Sequence, residues 1–183
     1  MMAYWRERFV LSRFVPAAVL IAVAATATSG GGAIDWVVRT GVALLLIAQF
    51  RIWDDLADRG RDRHTHPTRV LVAAPSVWPF VLQAVGLAAI NLALLLAVEG
   101  VAAARLLMVL TVAAAAYYVL RVPHRTVASD LVLLAKYPAF VLILSGNDPR
   151  PGRLVLALAT TYAAACAFEA WHDSSGPMRA THP

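Results

Sequence analysis

The sequence predicts an all-α protein, a polytopic bundle of about six transmembrane helices, and two observations lead to this prediction. First, 60% of the 183 residues are hydrophobic and only 15% are charged, whereas soluble domains are about half apolar and about a quarter charged. Second, apolar runs recur along the chain at the length of about 20 residues that a helix needs to cross a bilayer. Residues 1–183 are therefore expected to form a single domain within a lipid bilayer.

The apolar runs are separated by residues typical of turns and helix ends. The boundaries contain Gly30-Gly31-Gly32, Pro75, Glu99-Gly100, Pro123 and the segment 146–152, which holds two glycines and two prolines. Glycine and proline are the strongest local signals that one element ends and another begins. Pro138 lies within the fifth run and is expected to kink that helix. The predicted spans are 10–28, 33–53, 77–98, 101–120, 127–145 and 154–171.

Arginine is concentrated on one side of these spans. Only four arginines fall in the loops of the other side, namely Arg39, Arg105, Arg150 and Arg153. The positive-inside rule then predicts a multi-pass protein of the cell inner (plasma) membrane, with both termini and the long second loop in the cytoplasm. The formal net charge is +5, but the chain has no basic tail or basic helix of the kind that binds nucleic acid, so nucleic acid is excluded as a partner.

An acidic segment follows the second span. If the helix continues past Trp53, Asp55, Asp58 and Asp62 fall at i, i+3 and i+7 and share one face. Three carboxylates on one face repel one another, and a hard divalent cation relieves that repulsion. Mg²⁺ takes one or two carboxylates and fills its other positions with water and substrate phosphate oxygens. This pattern predicts a magnesium-dependent site for a lipid diphosphate at the membrane surface.

A second interpretation of the same segment involves no ligand. Asp55 with Arg59 and Asp58 with Arg61 are spaced as favourable helical ion pairs. A solvated helix end that is cross-linked by such pairs would have a similar sequence. What favours the ligand site is a second acidic pair, Glu169 and Asp173, at i and i+4 where the sixth span ends on the same side.

Lys136 is the only lysine and lies within the fifth predicted span. An ionisable group at that depth is costly unless it faces a partner or a wet cavity, so such groups are usually functional. The alternative is that its long side chain extends to the membrane surface.

The acidic segment resembles a known family motif. Asp54-Asp55-x-x-Asp58-x-x-x-Asp62 is similar to the N-D-x-x-D-x-x-x-D motif of the UbiA superfamily of intramembrane prenyltransferases, with Asp54 in place of the usual asparagine. The resemblance extends over the whole chain. Glu169-x-x-x-Asp173 resembles the second acidic motif of the family, and Tyr117 with Arg121 resembles its Y-x-x-x-K element.

The resemblance implies a function and a set of site residues. It implies Mg²⁺-dependent ionisation of a polyprenyl diphosphate and transfer of the prenyl group to an apolar or aromatic acceptor. The implied metal ligands are Asp54, Asp55, Asp58, Asp62, Glu169 and Asp173. The implied catalytic residues are Asp55, Asp58 and Lys136. The residues expected to hold the diphosphate are Arg121, Lys136, Arg63, Arg69 and Tyr117.

Members of that family usually have more helices than the six predicted here, so we expect a second copy of the chain or a partner membrane subunit to complete the bundle. Two other functions remain open. The same acidic residues suit an intramembrane terpene cyclase or diphosphate lyase that uses no external acceptor. Alternatively, the chain is a non-catalytic UbiA-like membrane subunit of a larger complex, since an exposed flank in lipid invites a partner helix.

Overall fold

The computed structural model describes residues 1–120, 126–146 and 148–172, and within these ranges the chain is helical and contains no strand. The prediction of an all-α protein is confirmed for this part of the chain. The helices are α1 (Met2–Arg8), α2 (Leu11–Ser29), α3 (Ala33–Thr65), α4 (Val70–Ala73), α5 (Trp78–Val98), α6 (Val101–Leu120), α7 (Val127–Leu134), α8 (Lys136–Leu144) and α9 (Pro151–His172).

Six of these segments are long and apolar enough to cross a membrane, with α7 and α8 counted together as one span. Except for the carboxyl-terminal end of α3, their bounds agree with the predicted spans to within a few residues. The last helix begins at Pro151 and not at 154, because proline suits the first turn, where its missing N–H is not needed. Helix α3 continues for twelve residues beyond Trp53 and ends at Thr65, so the acidic segment is helical, as its spacing requires.

The spans pack as a ring in chain order. Helix α2 contacts α3, α3 contacts α5, α5 contacts α6, α6 contacts α8, α8 contacts α9, and α9 contacts α2. The shared core is apolar and includes Leu46 and Phe50 of α3 and Phe140 and Leu144 of α8. Helix α9 is the least enclosed span. The ring places the carboxyl-terminal end of α3 close to the break between α7 and α8.

The fifth span breaks at Ala135, which confirms the distortion expected from Pro138. Proline has no N–H to donate to the carbonyl four residues earlier, so the regular ladder cannot pass through this position. The amide of Ala135 donates instead to the carbonyl of Val132, at 3.2 Å. Lys136 is thus the first residue of α8, a position at which its side chain can turn toward α3.

The opposite end of the bundle is fixed by a buried ion pair. The Arg39 guanidinium donates from Nε to Oε1 of Glu99 at 2.8 Å and from Nη1 to the Ser29 hydroxyl at 3.0 Å. Gly30, in the turn after α2, has a φ of 81°, a conformation that glycine adopts without strain. Arg39, which the sequence placed among the loop arginines, therefore ties three segments of the bundle together.

Helix α1 was not expected from the sequence. It lies before the first span, and Phe9 and Val10 separate it from α2. The ring of Tyr4 is fully buried and packs edge-on against Phe80 of α5, with centroids 5.3 Å apart. This contact holds α1 against α5, beside the end of α3 that carries the aspartates.

Candidate functional site

Four aspartates lie along one side of the last turns of α3, and we call Asp54, Asp55, Asp58 and Asp62 the acidic arc. A helix turns about 100° per residue, so Asp54 and Asp55 mark the two edges of this arc and the other two lie between them. The prediction that Asp55, Asp58 and Asp62 share one side of a helix is confirmed. The carboxylates at the two edges of the arc have different hydrogen-bond and ion-pair partners.

At one edge, Asp55 is held by helix α1. Its Oδ2 accepts hydrogen bonds from the Tyr4 hydroxyl and from Arg8 Nε, both at 2.9 Å, while its Oδ1 accepts from Arg8 Nη2 at 2.5 Å. Arg51, one turn earlier on α3, approaches Oδ1 at 3.3 Å. Asp55 is only 6% exposed. The expected pair with Arg59 does not form, because the Arg59 guanidinium donates to the carbonyls of Leu71 and Ala74.

The charge of Asp55 keeps Tyr4 and Arg8 of α1 protonated. Burial raises the pKa of the Tyr4 hydroxyl, and the negative charge of Asp55 raises it further. Burial lowers the pKa of the Arg8 guanidinium, but the hydrogen bond and the charge of Asp55 outweigh burial, and the net pKa is raised. Tyr4 therefore remains a neutral donor and Arg8 remains a cation beside Asp55.

Asp62 lies on the same side as Asp55 and is also buried. It forms an ion pair with Arg69 from the segment after α3. Glu7 of α1 accepts a hydrogen bond from the amide of Val70 at 2.9 Å. Tyr4, Glu7, Arg8, Asp55, Asp62 and Arg69 line a small cavity of about 10 Å³. We call this set of contacts the α1 brace, because it joins α1, α3 and the segment before α4.

At the other edge of the arc, Asp54 faces the fifth span. Lys136 donates to Asp54 Oδ2, and the hydroxyl of Tyr118 donates to Oδ1. The partner of the lysine is thus a carboxylate of the acidic motif, which confirms that Lys136 faces a partner. Its side chain and that of Asp54 are both mostly buried.

Asp54 and Lys136 lie at one wall of a small cavity of about 20 Å³, which we call the Asp54 cavity and which has room for about one water molecule. Its other walls are mainly aromatic and aliphatic. The lining residues are Phe14, Ile47, Phe50, Arg51, Asp54, Lys136, Tyr137 and Phe140. The Nε of Arg51 is buried and has no hydrogen-bond partner among residues 1–120, 126–146 and 148–172. A charged, polar end and an apolar end thus meet within one small space.

Asp58 lies between the edges and pairs with Arg61 at 2.6 Å, which confirms the helical ion pair expected there. Its side chain is 20% exposed, more than those of the other three aspartates of the arc. The intervening position and the greater exposure leave Asp58 as the most accessible carboxylate of the arc.

The remaining predicted residues are spread over several places. Glu169 is half-buried on α9. Tyr117 donates to the carbonyl of Ser129 at 3.2 Å and not to the arc. Arg63 is exposed. Arg121 and Asp173 lie outside the described residues.

The fit to a divalent cation rests on two carboxylates. In the part of the chain that is described, no group of three or more His, Cys, Asp or Glu side chains is arranged to hold a metal ion. Asp54 and Asp58, however, are one helical turn apart and are the two more exposed carboxylates of the arc. Mg²⁺ typically binds one or two carboxylates together with water and phosphate oxygens, so these two residues suit it when a diphosphate supplies further ligands.

Four residues that contact the arc were not singled out from the sequence. Tyr4 and Arg8 carry no pattern that points to an aspartate some fifty positions later. Arg51 is four residues before Asp55, and this i, i+4 spacing was a usable signal. Tyr118 is adjacent to the tyrosine that the family resemblance indicated, and the geometry of α6 places it, not Tyr117, against Asp54.

Comparison of the chain with protein-family models, with curated proteins and with solved structures gave no significant match.

Proposed function

We propose that this chain is a Mg²⁺-dependent membrane prenyltransferase that moves a prenyl group from a polyprenyl diphosphate to an apolar or aromatic acceptor. The observation that carries the proposal is the Asp54 cavity, in which a carboxylate, an ammonium and a guanidinium lie at one end of an aromatic-lined space between apolar helices. A prenyl diphosphate has the same division into a charged head and an apolar tail. The resemblance of the acidic arc to the UbiA motif supports the same substrate class.

The charged end of the cavity suits the diphosphate. Lys136 supplies a point charge at the wall of the cavity, and the buried Nε–H of Arg51 supplies a donor that has no partner in the described structure. Hydrogen bonds from such cations to phosphate oxygens are short and about twice as strong as neutral ones. Mg²⁺ held by Asp54 and Asp58 would neutralise charge on the leaving diphosphate.

The apolar end suits the reacting carbon. When the C–O bond to the diphosphate breaks, both electrons leave with the diphosphate oxygen and the allylic carbon becomes positive. The rings of Phe14, Phe50 and Phe140 line the cavity, and aromatic faces attract a cation within about 6 Å of the ring centroid. A nucleophilic atom of the acceptor then forms the new bond to carbon and releases a proton. The apolar walls keep water from taking the acceptor's place.

The orientation in the membrane is part of the proposal. Placing the end of α3 in the cytoplasm of a bacterial-type inner membrane follows the distribution of arginine and the positive-inside rule. The acidic arc would then meet prenyl diphosphates at the inner leaflet, with the tail entering among the helices. A second copy or a partner membrane subunit is proposed to cover the exposed flank of α9, the span that is least enclosed by the chain itself.

The test is a turnover assay on the full chain in lipid nanodiscs. Labelled farnesyl diphosphate and a longer polyprenyl diphosphate are supplied with a membrane lipid extract as acceptor, with Mg²⁺ or with EDTA, and released diphosphate and prenylated product are measured. We expect turnover only with Mg²⁺, and a loss of at least about 100-fold in Asp58→Asn, the size typical for removal of one charge-stabilising group.

Asp148→Asn is the matched control for that loss. Asp148 is exposed in the loop before α9, at the end of the bundle opposite the arc, so its substitution should leave turnover within error. Absence of any Mg²⁺-dependent diphosphate release from either donor in the wild-type chain would reject the proposed activity.

Two observations favour the non-catalytic alternative. The Asp54 cavity encloses about 20 Å³, far less than the roughly 300–1,000 Å³ of ordinary ligand pockets. All four carboxylates of the arc also have basic partners within the chain. The non-catalytic role predicts no turnover and no change in Mn²⁺ binding when Asp58 becomes Asn. Release of diphosphate and hydrocarbon from reactions without lipid extract would instead identify a cyclase or lyase.

A further inference from the structure

The Asp55 carboxylate is saturated by donors from its own chain. A carboxylate offers about four lone-pair positions. At Asp55, three of these accept hydrogen bonds from Tyr4 and Arg8 at 2.5–2.9 Å, and Arg51 approaches at 3.3 Å. Both oxygens are occupied and the residue is buried. A cation cannot bind Asp55 in this arrangement without first displacing Arg8.

Arg8 is positioned by contacts that do not involve the arc. Tyr4, one turn earlier on α1, is buried against Phe80, and Glu7 accepts a hydrogen bond from the amide of Val70. These contacts hold α1 against α4 and α5 independently of the ion pair. The packing of α1 therefore places the Arg8 guanidinium against Asp55.

The charges of the brace cavity show what Arg8 contributes. The cavity is lined by three carboxylates, Glu7, Asp55 and Asp62, and by two guanidiniums, Arg8 and Arg69. Arg69 is already paired with Asp62. Without Arg8 the lining would carry three negative charges against one positive charge, an arrangement that attracts a divalent cation. With Arg8 in place, that attraction is largely removed.

We propose that Arg8 is a built-in competitor for divalent cations, occupying Asp55 so that docked α1 withholds this aspartate from cation binding by the acidic arc. The inference rests on the proposed function only in assuming that the arc binds a divalent cation at all. It assigns helix α1 a restraining role. By linkage, a cation that does bind Asp55 must weaken the docking of α1 to the same extent.

The test is a Mn²⁺ titration of the purified full chain, followed by electron paramagnetic resonance, with no prenyl diphosphate present. Arg8→Gln removes the shortest contacts of Asp55 and leaves Tyr4 and the more distant Arg51, so it should tighten Mn²⁺ binding at least about tenfold, the scale of one charge-assisted hydrogen bond. Adding Asp55→Asn to that variant should abolish the gain. Arg6→Gln is the matched control, because Arg6 is an exposed arginine on the same helix, and it should bind Mn²⁺ like the wild type.

Equal or weaker Mn²⁺ binding in Arg8→Gln overturns the inference, as does a gain that persists when Asp55 is also replaced. If Arg8→Gln does not fold, as judged by thermal unfolding, Arg8→Met decides instead. It removes the charge but keeps a long unbranched side chain, so binding that is no tighter than in the wild type again overturns the inference. If Arg8→Gln binds Mn²⁺ more tightly but the wild type shows no prenyl turnover, the proposed function is rejected and this inference stands. If the wild type turns over but Arg8→Gln binds Mn²⁺ no more tightly, the inference is rejected and the proposed function stands.

Discussion

Asp54 and Asp55 are consecutive residues with the same side chain, yet they lie in two different environments. Asp54 contacts Lys136 and Tyr118 beside a cavity with aromatic walls, while Asp55 is enclosed by Tyr4 and Arg8 of α1. The step of about 100° between neighbouring helical residues is enough to direct the first toward the interior of the bundle and the second toward the brace. The difference teaches that an acidic motif in a sequence need not be one functional unit.

The two environments also differ in what their contacts achieve. In the α1 brace, each buried carboxylate has a guanidinium partner, and further contacts from Glu7 and Tyr4 link three chain segments. At the Asp54 cavity, a carboxylate and an ammonium adjoin open space, with a guanidinium donor left without a hydrogen bond in the described structure. We therefore expect substitutions in the brace to change mainly stability, and substitutions at the cavity to change mainly turnover.

The largest expected effect is in the brace. Asp55→Asn leaves the Arg8 guanidinium buried without its counter-charge, and breaking a buried pair in this way typically costs about 3–5 kcal/mol. Because Arg8 is partly exposed, we expect the lower part of that range. The midpoint of thermal unfolding in detergent, followed by circular dichroism, measures the loss. Asp58→Asn provides the comparison, since exposed pairs contribute about 1 kcal/mol or less, and equal destabilisation by both variants would erase the distinction between the two environments.

The next effect should appear at the cavity and in turnover. Lys136→Gln removes the ammonium that is proposed to hold the diphosphate, and we expect turnover to fall by about 100-fold, or roughly 2.7 kcal/mol of transition-state stabilisation. Lys136→Arg keeps a positive charge and should retain more of the activity. If Lys136→Gln lowers the midpoint of thermal unfolding but leaves the turnover rate of the folded protein unchanged, Lys136 stabilises the fold, as the brace contacts do, and does not hold the diphosphate. That result would contradict our proposal.

The sequence predicted one of these environments better than the other, and the reason is the range of the interactions. The spans, the continuation of α3 and the isolated Lys136 are local features, readable from apolar run length, spacing and the cost of a charge among apolar residues. The brace joins Tyr4 and Arg8 to an aspartate 51 and 47 positions away, and nothing in a short amphipathic segment specifies such a partner. Sequence spacing suggested Arg59 for Asp55, but tertiary packing supplied Arg8.

A smaller effect is expected from Tyr4→Phe. The substitution removes only the hydroxyl that donates to Asp55 and keeps the ring that packs on Phe80. A hydrogen bond to a charged group contributes about 1.5–3 kcal/mol, and the two remaining bonds from Arg8 should limit the loss to the lower end of that range. Thermal unfolding measures it. A loss as large as that of Asp55→Asn would mean that Tyr4, and not the ion pair, holds the brace together.

The smallest effect is expected at the neighbouring residues Tyr117 and Tyr118. It tests whether the contacts in the structure or the family resemblance identifies the functional tyrosine. Family resemblance assigns a role to Tyr117, whereas α6 directs the hydroxyl of Tyr118 to Asp54 and that of Tyr117 to a backbone carbonyl. Tyr118→Phe should therefore lower turnover about three- to tenfold, the scale of one hydrogen bond of about 1 kcal/mol that orients a reacting group, with Tyr117→Phe lowering it less. If Tyr117→Phe lowers turnover more than Tyr118→Phe does, then Tyr117 and not Tyr118 orients Asp54 during turnover, and the active conformation differs from the one described. The assignment of Asp54 to the cavity, and with it the contrast between the two edges of the arc, depends on this order.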